Sequence, residues 1–219
     1  MGKVKSGVLG QVSGSVGPVV FAVVNGQQTV RDKPKKSTKL PTQNQLDVRD
    51  IFKLASDVMM DFSDMVNVGF KIHTKFSTSM NTAVKYHIEN AITGITPDFK
   101  MDFTKVVLSN GKRDVVNSME VQAAASGAIM NITWDPFEDT DTDLQTLRNE
   151  DLAYFAFYHI AQGRYVANKG LVKRGVGKWD MKIPNSLAGS LMHAWVFFVT
   201  ADGKKSFKSE YLGTYTAVI

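Results

Sequence analysis

The chain has 219 residues, 43% hydrophobic, 10% aromatic and 21% charged, and contains no cysteine. That composition belongs to a globular protein and excludes wholesale disorder and collagen-like repeats. The missing cysteines exclude disulfides, thiolate metal sites and cysteine nucleophiles. The net charge is +5, and the excess sits at one end: residues 1–75 carry 11 basic and 6 acidic side chains, residues 76–219 carry 15 of each.

The opening is glycine-rich, with Gly2, Gly7, Gly10, Gly14, Gly17 and Gly26 among the chain's 17 glycines. The spacing of Gly7, Gly10, Gly14 and Gly17 lacks the Lys-Ser/Thr ending of a phosphate loop, so turns and close backbone packing are expected instead. Residues 6–30 are uncharged, yet the longest apolar run, Val19–Val24, is shorter than the ~7–15 residues of a signal peptide core or the ~20 of a membrane span. The expectation is a protein folded in the cytoplasm with no membrane partner.

Val19–Val24 is a β-prone run followed by Asn25-Gly26, the dipeptide of a two-residue hairpin turn. Val19, Phe21 and Val23 alternate with Val20, Ala22 and Val24, so a lone hairpin would show apolar side chains on both faces. Two strands alone are marginal in water. Val19, Val20, Phe21, Val23 and Val24 are therefore the candidate oligomer interface, covered by another copy of the chain. Arg31, Lys33, Lys35, Lys36 and Lys39 follow, broken by Pro34 and Pro41, and read as an extended basic connector able to dock an anion or an acidic partner. It has no aromatic residue to stack on bases, so nucleic acid would be met only through phosphates.

Thr42 and Gln45 form a capping-box pattern, and Leu46, Ile51, Leu54, Ala55, Val58, Met59 and Phe62 mark one face of a helix. A second helix is expected over 79–92, with Met80, Ala83, Val84, His87, Ile88 and Ala91 on one side. From Phe99 the apolar period becomes two. Seven strands are expected, at 115–122, 127–134, 152–160, 163–168, 178–183, 191–200 and 206–217, with Trp134, Tyr154, Phe157, Trp195 and Phe197 as core aromatics. That number of short strands parted by turn signals suggests an immunoglobulin- or fibronectin-III-like antiparallel β-sandwich. The fold class is thus α+β, organised as a Gly-rich hairpin arm and basic linker (1–41), a helical region (42–98) and the sandwich (99–219).

Asp139, Asp141, Asp143 and Glu150 occupy positions 1, 3, 5 and 12 of a calcium-loop template and are the candidate metal ligands. Leu144 stands where the template needs glycine, and no flanking helix is expected. A solvated acidic loop is the competing reading. His73, His87, His159 and His193 have no metal-ligand spacing, and no G-x-S-x-G nucleophile elbow occurs. No catalytic residue and no cofactor is assigned.

Gly7, Gly10, Gly14, Gly17, Val19-Val20, Gly26, Val30-Arg31, Pro34-Lys35-Lys36-Ser37, Lys39, Pro41-Thr42, Gln45-Leu46, Arg49 and Phe52 together resemble an uncharacterised domain-of-unknown-function family of Bacteroidota bacteria and their phages. Gly69-Phe70-Lys71, the stretch 90–99 and the ending 201–213 extend the resemblance over nearly the whole chain. The family's phage and prophage setting implies a virion component, tail- or capsid-associated, assembled in the host bacterial cytoplasm with other virion proteins. The residues themselves lead to a non-enzymatic, self-assembling structural protein. The alternative is a nucleic-acid-associated protein using its basic N-terminal third.

Overall fold

The computed structural model describes residues 2–4 (as backbone), 12–24, 26–35, 38–71, 77–114 and 118–218. Gly7, Gly10, Asn25, Lys36 and His73 lie outside the described residues. The chain folds as two compact units, one within Met1–Leu46 and one made of Asp47–Ile72 and Ser77–Ile219.

The first unit is a four-stranded antiparallel sheet, not the two-stranded hairpin expected from the sequence. Its order is β1 (Gly2–Val4), β4 (Gln27–Asp32), β3 (Val19–Val24), β2 (Gly14–Val16). The central hairpin forms as predicted, with Gly26 at φ 76° in its turn. The two outer strands escaped notice because three residues are too few to show a period. Gly17, at φ 58°, turns the chain between β2 and β3, a backbone conformation that glycine adopts without steric cost.

The second unit begins with helices. In α1 (Gln43–Asp61) the Thr42 backbone N–H donates to Gln45 Oε1 (3.2 Å), half of the expected capping box. Ala55, Val58 and Met59 form its buried stripe. A short helix absent from the sequence reading, α2 (Ser63–Gly69), adds Met65 and Val66. In α3 (Ser79–Asn90) the Thr78 side chain accepts the Asn81 N–H (3.2 Å), and Ala83, Val84 and His87 face inward. Met60 is 61% exposed, while Met59 and Met65 are buried.

After the minimal pair β5 (Ile92–Thr93) and β6 (Lys100–Met101) comes a β-sandwich. One sheet has the order β11 (Lys178–Lys182), β8 (Ile129–Thr133), β7 (Glu120–Ala123). The other has the order β10 (Arg164–Lys173), β9 (Leu152–His159), β12 (Leu191–Val199), β13 (Glu210–Thr216). Three strands facing four, all pairs antiparallel, with the chain crossing between sheets after β8, β10 and β11, is the immunoglobulin- and fibronectin-III-like arrangement.

The four-stranded sheet is covered on both sides. Ala153, Phe155 and Phe157 of β9 and Met192, Ala194, Val196 and Phe198 of β12 join Met130, Ile132, Trp134 and Met181 in the core between the sheets. The alternate residues Ala156, Tyr158, Trp195, Phe197 and Val199 join Ala55, Met59, Phe62, Met65 and Val66 in a second core beneath the helices. The expected core aromatics therefore divide: Trp134 and Phe157 fill the sandwich, while Trp195, Phe197 and Tyr154 face the helices. The helical region and the sandwich, read from the sequence as successive segments, share one unit.

Gly69 shows how closely the layers approach. A Cβ there would lie 2.1 Å from the Leu108 carbonyl oxygen, and its own carbonyl accepts Ser109 Oγ (3.1 Å) and Ser206 Oγ (2.9 Å).

Candidate assembly surface and the other predicted sites

The register of the N-terminal sheet decides which side chains share a face. Directly paired residues point the same way. Phe21 pairs with Val30, Val19 with Val16, and Val23 with Gln28. Val16, Val19, Phe21, Val23 and Val30 therefore lie on one face. On the other, Val20, Ala22 and Val24 stand beside Ser15, Arg31, Thr29 and Gln27. The five predicted interface residues are thus split, with Val20 and Val24 on the more polar face. Val16 and Val30, which the sequence reading did not include, add to the other, which also carries exposed Asp32 opposite Val19 and buried Gln28 opposite Val23.

No described apolar side chain of this sheet is buried; among the described residues its buried side chains are Gln28 and Thr29. Val16 is 63%, Val23 38% and Val24 54% exposed. The outer edges of β1 and β2 have no partner strand among the described residues.

Of the basic connector, Arg31, Lys33, Lys35 and Lys39 are exposed, while Lys36 lies outside the described residues. The Lys33 N–H donates to the Pro18 carbonyl (2.6 Å), which ties the start of the connector to the β2–β3 turn.

The calcium-loop reading is corrected. The segment forms a helix, α4 (Thr142–Asn149), whose N-cap is Asp141: its side chain accepts the N–H groups of Asp143 (3.0 Å) and Leu144 (3.1 Å). Asp139 in turn accepts the Asp141 N–H (3.0 Å), and Glu150 pairs with Lys173 Nζ (2.5 Å). The alternating aspartates serve helix initiation, and among the described residues no three acidic or histidine side chains are grouped to hold a metal.

The histidines of the sandwich and helices have structural partners or surroundings. His87 is fully buried; its Nδ1 lies 2.7 Å from the Ala83 carbonyl and its Nε2 accepts the Val107 N–H (3.1 Å), which fixes the neutral tautomer. Burial pushes its pKa below the ordinary value. His193 Nδ1 is 2.8 Å from the Tyr211 hydroxyl, and its ring stacks on Trp195. His159 is half-buried at the end of β9.

A buried ion cluster escaped the sequence reading. Asp114 Oδ2 receives Arg174 Nη1 (2.5 Å) and Arg148 Nη2 (2.6 Å), and Arg148 Nε lies 2.9 Å from Asp151 Oδ2. Arg174 is 2% exposed, its guanidinium over the rings of Phe198 (4.5 Å) and Phe137 (5.0 Å). Arg148 lies over Phe207 (4.0 Å). Burial pushes the Asp151 carboxyl up to about 6, against the pull of Arg148 and Arg174. Arg148 and Asp151 are three residues apart, but Asp114 lies 34 and 60 residues from Arg148 and Arg174, so no local spacing announces the cluster.

What these features define is an α+β protein with a helix-backed β-sandwich and a separate sheet, one face of which carries Val16, Val19, Phe21, Val23 and Val30, half-buried or exposed among the described residues. The chain belongs to a family of unknown function (DUF6266), whose profile matches residues 11–213. Among solved structures it is similar to the fn3 domain of human collagen alpha-1(XX) chain, at 14% identity over 51% of this chain and 91% of that one, with a TM-score of 0.32. No curated protein matches it. No helix among the described residues is long and apolar enough to cross a membrane.

Proposed function

We propose that this is a non-enzymatic structural subunit that self-associates through its N-terminal sheet. The observation that carries the reading is the apolar face of Val16, Val19, Phe21, Val23 and Val30, none of them buried within the chain. Covering the exposed part of each contributes on the order of 1 kcal/mol. That is modest for a single pair, given the cost of association, and accumulates in a repeating assembly. The edges of β1 and β2, without a partner strand among the described residues, offer a second mode, in which strands of neighbouring copies extend the ladder. The exposed Arg31, Lys33 and Lys35 beside the sheet suit docking on an acidic surface of an adjoining subunit.

The resemblance drawn from the sequence supports placing such a subunit in a phage particle, on the tail or capsid surface. Sedimentation velocity over a range of concentrations tests the association. The full chain is expected to form oligomers, and the V16K/V23K variant to weaken them by ~10-fold or more, because both side chains are exposed and a charge there forbids a dry interface. A full chain that stays monomeric at high concentration, or a variant that assembles like the parent, overturns the reading. Immunogold labelling of particles from a producing host tests the virion assignment separately.

A further inference from the structure

The face of α1 turned from the core is not wholly polar. Phe52 and Met60 are 56% and 61% exposed, and half-buried Ser56 stands midway between them. Residues four apart lie above one another on a helix, so the three form one ridge, large, small, large, symmetric about Ser56. Beside the ridge runs a groove of about 360 Å³ between α1 and α3. Buried Val84 and half-buried Met80 and Ile88 of α3 form its far wall.

The charges around the ridge are mixed in sign and come in pairs. Lys53 and Asp57 are exposed one turn apart along one rim, and Lys85 and Glu89 are exposed one turn apart on α3 along the other. Among the described residues none of these four side chains makes an ion pair or hydrogen bond. Arg49 is also exposed, about two turns from Ser56, and lies beyond the centre of the ridge.

We propose that this face binds a second copy of the chain, the two α1 helices crossing antiparallel with both Ser56 residues at a two-fold axis. The rotation sets Phe52 of each copy beside the partner's Met60, and the small Ser56 lets the helix axes approach. Ridges of i, i+4 spacing on both helices interdigitate at a crossing angle of about −50°. The same rotation brings Lys53 of each copy to the partner's Asp57, so reversing the helix matches opposite signs on both sides of the axis. A nucleic acid or an anionic membrane calls for one sign of charge, which this rim does not carry. The inference stands apart from the association assigned to the N-terminal sheet. With both, each subunit has two distinct faces, and assembly continues past two copies.

Sedimentation velocity of the V16K/V23K variant isolates this contact from the N-terminal one. That variant is expected to form dimers, and addition of F52K/M60K, at two exposed positions, to leave monomers of unchanged circular dichroism. In the same background, K53E and D57K each bring like charges together across the axis and are expected to weaken the dimer ~10-fold or more. Their equimolar mixture is expected to regain the lost affinity, because the mixed dimer has both pairs opposite in sign. S56C places a single cysteine in a chain that has none, and oxidation with copper phenanthroline is expected to link it into a covalent dimer, while E120C on β7 stays unlinked. The proposal is overturned by a V16K/V23K variant that stays monomeric at high concentration, by a mixture no tighter than its parts, or by S56C that links no better than E120C. Association through the N-terminal sheet is read separately, from the full chain carrying F52K/M60K alone.

Discussion

Arg174 and Asp151 sit 2% exposed in an interior made mostly of aromatic and aliphatic side chains. Such charges persist only where partners hold them, and Asp114 and Arg148 supply those partners. Asp151 makes a testable difference with pH. Its carboxyl is held above its ordinary value of 3.8, at about 6, so the folded chain holds that proton more tightly than the unfolded chain does. The contribution is therefore fully favourable below about pH 4 and is lost as the pH rises through about 6. Urea unfolding of wild type and D151N at intervals from pH 4 to 7 should show their stability difference shifting in favour of the variant as pH rises. A difference that stays constant across that range would show that Asp151 does not titrate there.

At the scale of elements, α4 illustrates how one sequence pattern serves two chemistries. Aspartates at alternate positions can surround a cation if the chain coils around it, or can cap a helix if it straightens. Leu144, where a calcium loop needs glycine, leaves the second outcome, and Asp141 then accepts two N–H groups that would otherwise lack partners. D141A is expected to cost about 1 kcal/mol in chemical denaturation, with the same loss in calcium and in chelator. A loss that appears only with calcium present would restore the metal reading. The longer helices and strands announced themselves through period and caps: Thr42 and the apolar stripes at 55–59 and 83–87 were all readable. β1, β2 and α2 were not, since three to seven residues carry too little pattern to separate from a loop.

At the scale of the whole molecule, the four-stranded sheet of the sandwich is the shared wall between two cores. Phe197 and Phe198 are neighbours in β12 and both 1% exposed, yet one faces the helices and the other the opposing sheet. F197A should cost about 3–5 kcal/mol and lower a single thermal transition seen alike by far-ultraviolet circular dichroism and by tryptophan fluorescence. Separate shifts in the two signals would mean that helices and sandwich unfold independently. The N-terminal sheet belongs to this scale too, because its five apolar side chains of one face are half-buried or exposed among the described residues, which is what the proposed association rests on.

The sequence by itself determined the strand count of the sandwich, the two long helices, the central hairpin and the uneven charge, because each rests on local composition, period, caps and turn residues. It also held a hint that went unread. β9 and β12 are almost continuously apolar where a one-faced strand would alternate, which is the mark of a strand covered on both sides. Only the tertiary structure decided that the helices supply that cover, that Val16 and Val30 share a face with Phe21, and that Arg148, Asp151 and Arg174 gather with Asp114 in one buried cluster. These are relations between residues far apart in the chain, and the spacing of neighbours carries no trace of them until packing brings them together.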